Sequence, residues 1–129
     1  MPKAIDDLTI PPVAIGHVSM EVNQIGPAVN WFAAMGLRTV ATRENFAVLE
    51  LRGGTHLVLS RTDQEIEVGT LAPIDLMVDD LDATRDACAE CGFVPSEIKE
   101  GSVHRSFHVA GPDGYSVKIT SSHSGGRAV

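Results

Sequence analysis

Aromatic residues are scarce in this chain. Its 129 residues include one Trp, one Tyr and four Phe. A cleft that holds a large planar ligand by stacking needs several aromatic side chains. The composition therefore weakens an interpretation as a binder of large aromatic molecules and leaves other small molecules open.

Long apolar runs and basic clusters are also missing. No apolar run approaches the about 20 residues of a membrane-spanning helix, and residues 1–7 lack the charged-then-apolar pattern of a signal peptide, so we expect a cytoplasmic protein. Asp and Glu number 17 against 10 Lys and Arg, which gives a net charge of -7. This balance argues against nucleic-acid and membrane partners and favours neutral or cationic small molecules.

Cysteine occurs only at Cys88 and Cys91, in a C-A-E-C segment. Both fall in the last turn of a predicted helix, whereas a redox pair usually gains its low thiol pKa at a helix N-terminus. We therefore predict two buried or half-buried structural thiols.

Apolar and polar residues alternate along residues 15–22, Ile-Gly-His-Val-Ser-Met-Glu-Val. A two-residue period predicts a strand with one face in the core and the other toward water or a ligand. On one strand, a solvated surface explains the pattern equally well. The polar set is His17, Ser19 and Glu21.

The order of predicted elements then repeats. A helix over 23–36 ends at Gly36 and carries Trp31 and Phe32, which we expect in the core, and strands follow at 37–43, 46–52 and 56–61. A second strand at 72–79 precedes a helix capped by Asp80, and strands at 93–98, 103–110 and 115–121 complete the series. The chain thus consists of two β-α-β-β-β modules, 14–61 and 72–121, joined by a linker at 62–71 and followed by a flexible tail at 122–129.

Alternation on several strands predicts which side chains face the helices and which face away. The helix-facing set is Val18, Met20, Leu57, Leu59, Ile74, Leu76, Phe107, Val109, Val117 and Ile119. The opposite set is His17, Ser19, Glu21, His56, Val58, Ser60, Asp75, Met77, His104, Ser106, His108, Ser116, Lys118 and Thr120. We predict an α+β domain of two curved mixed sheets around a polar cleft, with the helices outside. The predicted ligand-binding residues are His17, Ser19, His56, Asp75, His108, Ser116 and Lys118.

The paired modules, the first-strand motif G-H-V-S-M-E-V and the turn G-P-D-G-Y-S-V-K-I resemble the vicinal oxygen chelate superfamily, over residues 14–121. That superfamily includes glyoxalase I, extradiol dioxygenases and the bleomycin-resistance binding proteins. The resemblance implies that a divalent metal, where present, is held by the first and last strands of each module. Those positions here are His17, Val58, Pro73 and Lys118, of which only the first can bind a metal, so we expect no cofactor.

Two other chemistries remain open for these residues. His17, His56 and His108 would suit zinc, iron or nickel if they converged. Lys118 could hold a substrate carboxylate or stabilise an enolate, although we favour a structural ion pair with Glu21, Asp75 or Glu50. The candidate catalytic residues are His17, Glu21 and Lys118, and Asp75 is a further possible base.

We therefore predict a metal-independent, homodimeric small-molecule binding protein of the bleomycin-resistance type that sequesters or carries its ligand. The alternative is a lyase, isomerase or hydrolase of the same superfamily that uses a relocated metal or a His/Glu acid-base pair. A third interpretation is a vestigial cleft in a domain that works through its dimer surface.

Overall fold

The computed structural model describes residues 10–122. This part of the chain folds into two modules, the first of which forms a four-stranded mixed sheet. Its first module comprises β1 (His17–Val22), α1 (Ile25–Ala34), β2 (Arg38–Thr42), β3 (Phe46–Glu50) and β4 (His56–Arg61). The strand order is β1-β4-β3-β2, with β1 parallel to β4 and the other neighbours antiparallel. We call this the first sheet.

The second module repeats that arrangement. It comprises β5 (Leu71–Val78), α2 (Leu81–Glu90), β6 (Lys99–Glu100), β7 (Arg105–Ala110) and β8 (Ser116–Ser121). In this second sheet the order is β5-β8-β7-β6, with β5 parallel to β8. The predicted architecture of two βαβββ modules is confirmed. The predicted tail lies outside the described residues except for Ser122.

The two helices form for different local reasons. Helix α1 is apolar, with Ile25, Ala28, Val29, Trp31 and Phe32 buried. Helix α2 buries only Leu81 and Cys88, and the carboxylate of Asp80 caps its start by accepting a 3.0 Å hydrogen bond from the Ala83 N–H. Both helices are followed by a glycine with positive φ, +112° at Gly36 and +80° at Gly92, as predicted for helix termini.

The core occupies the helix-facing side of both sheets. Met20, Leu57, Leu59, Leu76, Phe107, Val109, Val117 and Ile119 are buried as predicted, and Val18 and Ile74 pack against them while half-buried. Trp31 and Phe32 are also buried, as predicted. The alternation in the sequence therefore identified the core face correctly on both modules.

The predicted strand at 93–98 is wrong. The structure has only an isolated bridge between Pro95 and Val109 and a two-residue strand at Lys99–Glu100. Val94 has φ +45°, outside the strand region, and Pro95 has no N–H to donate to a ladder. Ser96 replaces the ladder locally, because its N–H donates to the His108 carbonyl at 2.7 Å and its hydroxyl accepts from the His108 N–H at 2.9 Å.

The prediction for the cysteines holds for one of the two. Cys88 is buried and its Sγ lies 3.8 Å from Sδ of Met35, whereas Cys91 is exposed. Burial and the neighbouring Cys91 raise the pKa of the Cys88 thiol. This thiol is therefore a small core side chain.

Hydrogen bonds join the two modules, in addition to contact between β1 and β5. The indole N–H of Trp31 donates to the Ala110 carbonyl at 3.1 Å, and the Tyr115 hydroxyl donates to the Glu21 carbonyl at 2.8 Å. The Asn23 N–H donates to the Asp113 carboxylate at 2.6 Å.

No helix within residues 10–122 is long and apolar enough to cross a membrane.

Candidate functional site

Each sheet has an open face, which we define as the side opposite the buried core side chains. On the first sheet this face presents His17, Ser19 and Glu21 from β1, all exposed, and the half-buried His56 from β4. On the second sheet it presents exposed Asp75 and half-buried His108, Ser116 and Lys118. All seven predicted ligand-binding residues lie at open-face positions.

Two residues of the predicted open-face set have side chains that are hydrogen-bonded or buried, and so are not available to a ligand. His104 precedes β7, and its Nδ1 donates to the Ser121 carbonyl at 2.6 Å. Thr120 is only 6% exposed. These two side chains are therefore anchored within the fold and are not part of the candidate site.

Four side chains form a continuous row across the first sheet. The strand register places His17, His56, Glu50 and Arg38 side by side on β1, β4, β3 and β2. The imidazole rings of His17 and His56 are 5.8 Å apart and inclined by 29°. His17 and His56 are therefore neighbours on the first sheet.

Glu50 is the central member of this row. Its Oε1 accepts from Nε of Arg38 at 2.7 Å and also pairs with a terminal guanidinium nitrogen, while its Oε2 lies 3.8 Å from Nε2 of His56. The second distance is too long for a hydrogen bond, so Glu50 lies near the His56 imidazole without holding it. Arg38 was missed by sequence reasoning because it stands on the far edge strand and only the register brings it to the histidines.

Lys118 occupies the middle of the second sheet. Its register neighbours are Asp75 on β5 and His108 on β7. Within residues 10–122 it forms no ion pair with any of the three predicted partners, and Glu50 is instead paired with Arg38. The structural pairing that the sequence favoured is therefore absent from the described part of the chain.

The four positions implied by the superfamily do not fit a divalent metal. Val58 and Pro73 have no donor atom, and the ammonium group of Lys118 repels a cation. Pro73 also lies where the β5–β8 register shifts, between Leu71 and Asp75. His17 is left as a single ligand.

The relocated metal site does not form either. Among residues 10–122, no group of three or more His, Cys, Asp or Glu side chains is placed to hold a metal ion. His17 and His56 are neighbours on the first sheet, but His108 belongs to the second sheet. The structure therefore does not bring the three histidines together.

Several hollows in the described part of the chain are lined by both modules. The polar hollow, of about 480 Å³, is lined by Ser19, Glu21 and Ser60 of the first sheet and by Leu71 and Pro73 of the second, together with Met20, Thr70 and Tyr115. It therefore joins the open faces of both sheets. Of the predicted ligand-binding residues only Ser19 lines it.

A second hollow, of about 590 Å³, lies along β5. Asp75 and the β5 side chains around it line one wall. Met35, Leu37 and Leu51 contribute to the opposite wall. Sequence reasoning missed these three residues, since they come from element ends and no periodicity links them to the second module.

Tyr115 is the polar hollow's hydrogen-bonding aromatic residue. Its hydroxyl is committed to the Glu21 carbonyl. Burial, then the charges of Asp113 and Glu21, raise the pKa of the Tyr115 phenol above its usual value. Tyr115 therefore remains a neutral donor at physiological pH.

No protein-family model and no curated protein sequence matches the chain, but solved structures do. Lactoylglutathione lyase from Agrobacterium tumefaciens is 17% identical, with TM-score 0.70 over 91% of this chain and 99% of that one. The bleomycin-binding protein from Streptomyces verticillus is 21% identical, with TM-score 0.65 over 88% and 99%. The antibiotic-binding protein TnmS3 from Streptomyces sp. CB03234 is 20% identical, with TM-score 0.71 over 88% and 98%.

Identities this low establish the fold alone, and further similar structures are described as members of one superfamily. The chain has the fold of the glyoxalase/bleomycin resistance protein/dioxygenase superfamily, which confirms at the level of the fold the resemblance to the vicinal oxygen chelate superfamily.

Proposed function

We propose that this protein binds a small organic molecule where its two sheets meet, without a metal ion. The observation that carries the proposal is the donor set at the four superfamily positions, where Val58, Pro73 and Lys118 cannot act as metal ligands. A divalent cation cannot then be the group that holds the ligand. Recognition falls to the polar side chains of the open faces.

The polar hollow supports this proposal. It is concave, it draws its lining from both modules, and it offers the hydroxyls of Ser19 and Ser60 and the carboxylate of Glu21 beside apolar surface. Ligand sites commonly combine apolar surface with a few polar groups in this way. The bleomycin-binding and antibiotic-binding neighbours are named as binders and use the same fold.

The proposal includes a cytoplasmic homodimer. Free thiols at Cys88 and Cys91 suit a reducing compartment. Ile15 lines the hollow along β5 and Leu71 lines the polar hollow. They are 64% and 60% exposed, and apolar surface of this kind is often covered by a second subunit. Light scattering on the purified chain tests the dimer, and a monomer at micromolar concentration contradicts that part.

The binding proposal is tested by ligand-induced thermal shifts across a metabolite panel. A ligand that raises the Tm of the wild-type protein should fail to do so in Ser19→Trp, because the indole fills the polar hollow. The control Ser102→Trp places the same indole at an exposed turn residue away from both hollows. Dialysis against a chelator should leave the shift unchanged.

Three results contradict the proposal. Thermal shifts that persist in Ser19→Trp would show that the ligand binds outside the polar hollow. Shifts that disappear with the chelator and return with added metal restore a metal-dependent site. A panel that yields no shift at all favours the vestigial-cleft interpretation.

Acid-base catalysis is a second candidate function, and the Arg38–Glu50–His56 row favours it. Glu50 lies between Arg38 and His56, with its Oε2 3.8 Å from His56 Nε2, and His17 lies against the same ring, so two imidazoles and a carboxylate are close together. The lyase among the structural neighbours is an enzyme with this fold.

This second function predicts exchange of the acidic C–H of 2-oxo acids or hydroxyketones in D₂O, followed by proton NMR. His56→Gln should abolish the exchange, and His108→Gln, on the other sheet, should retain it. Exchange at the uncatalysed rate in the wild-type protein rules the function out for these substrates.

A further inference from the structure

Three cationic side chains in residues 10–122 are half-buried: Arg85, Arg105 and Lys118. Arg85 donates to the Ser96 carbonyl at 2.7 Å and lies 3.9 Å from the Glu97 carboxylate. Arg105 pairs with Asp82 and Glu100 at 3.0 and 3.1 Å. Lys118 is the exception, since no carboxylate of the described residues lies within ion-pair distance of it.

The surroundings of Lys118 are defined by its strand. Val117 and Ile119 are fully buried on the core side, so the lysine side chain lies on the open face. The titratable neighbours are Asp75 on β5 and His108 on β7, and Ser116 and Thr120 are the next residues on the same side of β8. Asp75 stands opposite Lys118 in register, yet their charged groups do not form an ion pair.

Charged side chains with restricted access to solvent are normally paired, and Lys118, half-buried as a residue, has no carboxylate partner among residues 10–122. A negatively charged group supplied by the ligand would provide that counter-charge. Lys118 presents a point charge with three donors rather than the planar fork of an arginine. The nearby Asp75 carboxylate further disfavours a dianion such as phosphate.

We propose that Lys118 binds the carboxylate of the ligand, so that the natural ligand is a small organic acid. Lys118 does not line the polar hollow itself, but Ser116, two residues before it on β8, is in register with Leu71, which does. This inference rests on the proposed binding function and names the chemical class of its ligand. It differs from the expectation based on net charge, because it depends on the one local ammonium group that has no ion pair rather than on the sum of charges over the chain.

The test uses a matched pair of probes, cyclohexanecarboxylate and cyclohexanecarboxamide, which have closely similar shapes but differ in charge. The chain has three lysines, Lys3, Lys99 and Lys118. Reductive ¹³C-methylation keeps their charge and gives each an NMR signal, which lysine-to-arginine variants assign.

The carboxylate should shift the Lys118 signal saturably and leave the Lys99 signal in place. Its apparent Kd should be at least about tenfold lower than that of the amide. Binding of both probes by the unmethylated wild-type protein and its variants is compared by calorimetry. Lys118→Met should remove the preference for the carboxylate, and the control Lys99→Met, on the edge strand β6, should retain it.

Equal affinity for the two probes, no binding of either, or a carboxylate preference that survives in Lys118→Met overturns this inference. Inorganic phosphate that competes as effectively as the carboxylate overturns the assignment of ligand class. If some metabolites still raise the Tm of the wild-type protein but not of Ser19→Trp, the binding function stands and its ligand is neutral or cationic. If no metabolite passes that test, the binding function itself fails.

Discussion

The two modules fill the same space with opposite choices of side chain. Phe32 and Cys88 occupy equivalent positions in α1 and α2, and both are buried. Ala47 and Phe107 are equivalent on the strands, because they pair with Leu59 and Ile119, which correspond in the two modules. The first module takes its large ring from the helix and the second from the strand.

The open faces differ in a similar way. The first sheet carries a row in which Glu50 is paired with Arg38 and lies 3.8 Å from His56. On the second sheet, Lys118 lies between Asp75 and His108 without an ion pair to any of residues 10–122. The comparison teaches that the two modules exchange a large and a small core side chain between helix and strand, whereas their open faces differ in how the charged side chains are paired.

The largest effect is expected in the core of the first module. Phe32→Ala should lower the free energy of unfolding by about 3–5 kcal/mol, because it removes a fully buried ring. The equivalent Cys88→Ala should cost no more than about 1.5 kcal/mol, since only a sulfur atom is lost. Urea denaturation of both variants measures the difference, and equal losses would contradict the exchange of large and small side chains.

The next effect concerns the contact between the modules. Asp113→Ala should lower the free energy of unfolding by about 2–3 kcal/mol, because it removes the charged acceptor of the Asn23 N–H and places Ala at φ +54°. Asp113→Asn keeps an acceptor and tolerates this conformation, so it should cost less than about 1 kcal/mol. Similar losses in the two variants would show that the hydrogen bond does not join the modules.

A smaller effect is expected at Tyr115, the chain's single tyrosine. Tyr115→Phe should cost about 1 kcal/mol through loss of the hydrogen bond to Glu21. Because the pKa of Tyr115 is raised in the folded state, its contribution is complete below the unfolded pKa of about 10 and is lost as pH rises through the folded pKa.

Tyrosinate absorbance reports this titration directly. The wild-type Tm should fall with rising pH in that alkaline range more steeply than the Tm of Tyr115→Phe. Parallel profiles, or tyrosinate absorbance that develops at the ordinary pKa, would contradict the assignment.

The smallest effect separates the two cysteines. Cys91 should react rapidly with an aromatic disulfide reagent. Cys88 should react only as fast as local unfolding exposes it, because its thiol is buried and its pKa is raised. One fast thiol per chain is the expected result. Two fast thiols would mean that Cys88 on α2 is accessible to the reagent and not buried in the core.

Periodicity predicted the fold well where one strand face is buried. The alternation around Met20, Leu57 and Val117 identified the core side, and the predicted bounds of β4 are those observed. It failed at 93–98, where the side-chain pattern suits a strand but the backbone at Val94 and Pro95 does not.

Much less of the candidate site followed from the sequence. The side on which His17 or Lys118 lies depends on local alternation, and that was predictable. The link from Arg38 through Glu50 to His56, and the missing ion pair at Lys118, depend on strand register and on side-chain distances between elements. Residue spacing predicts neither the strand register nor these side-chain distances.

The central claim is that the open faces of the two sheets meet in one metal-independent ligand site. An amide chemical-shift map of the metabolite with the largest thermal shift, recorded in the presence of a chelator, tests it most directly. The account predicts perturbations centred on Ser19, Glu21, Ser60 and Leu71, from both sheets at once. Perturbations confined to the helices or to one sheet, or a map that appears only after metal is added, would contradict it.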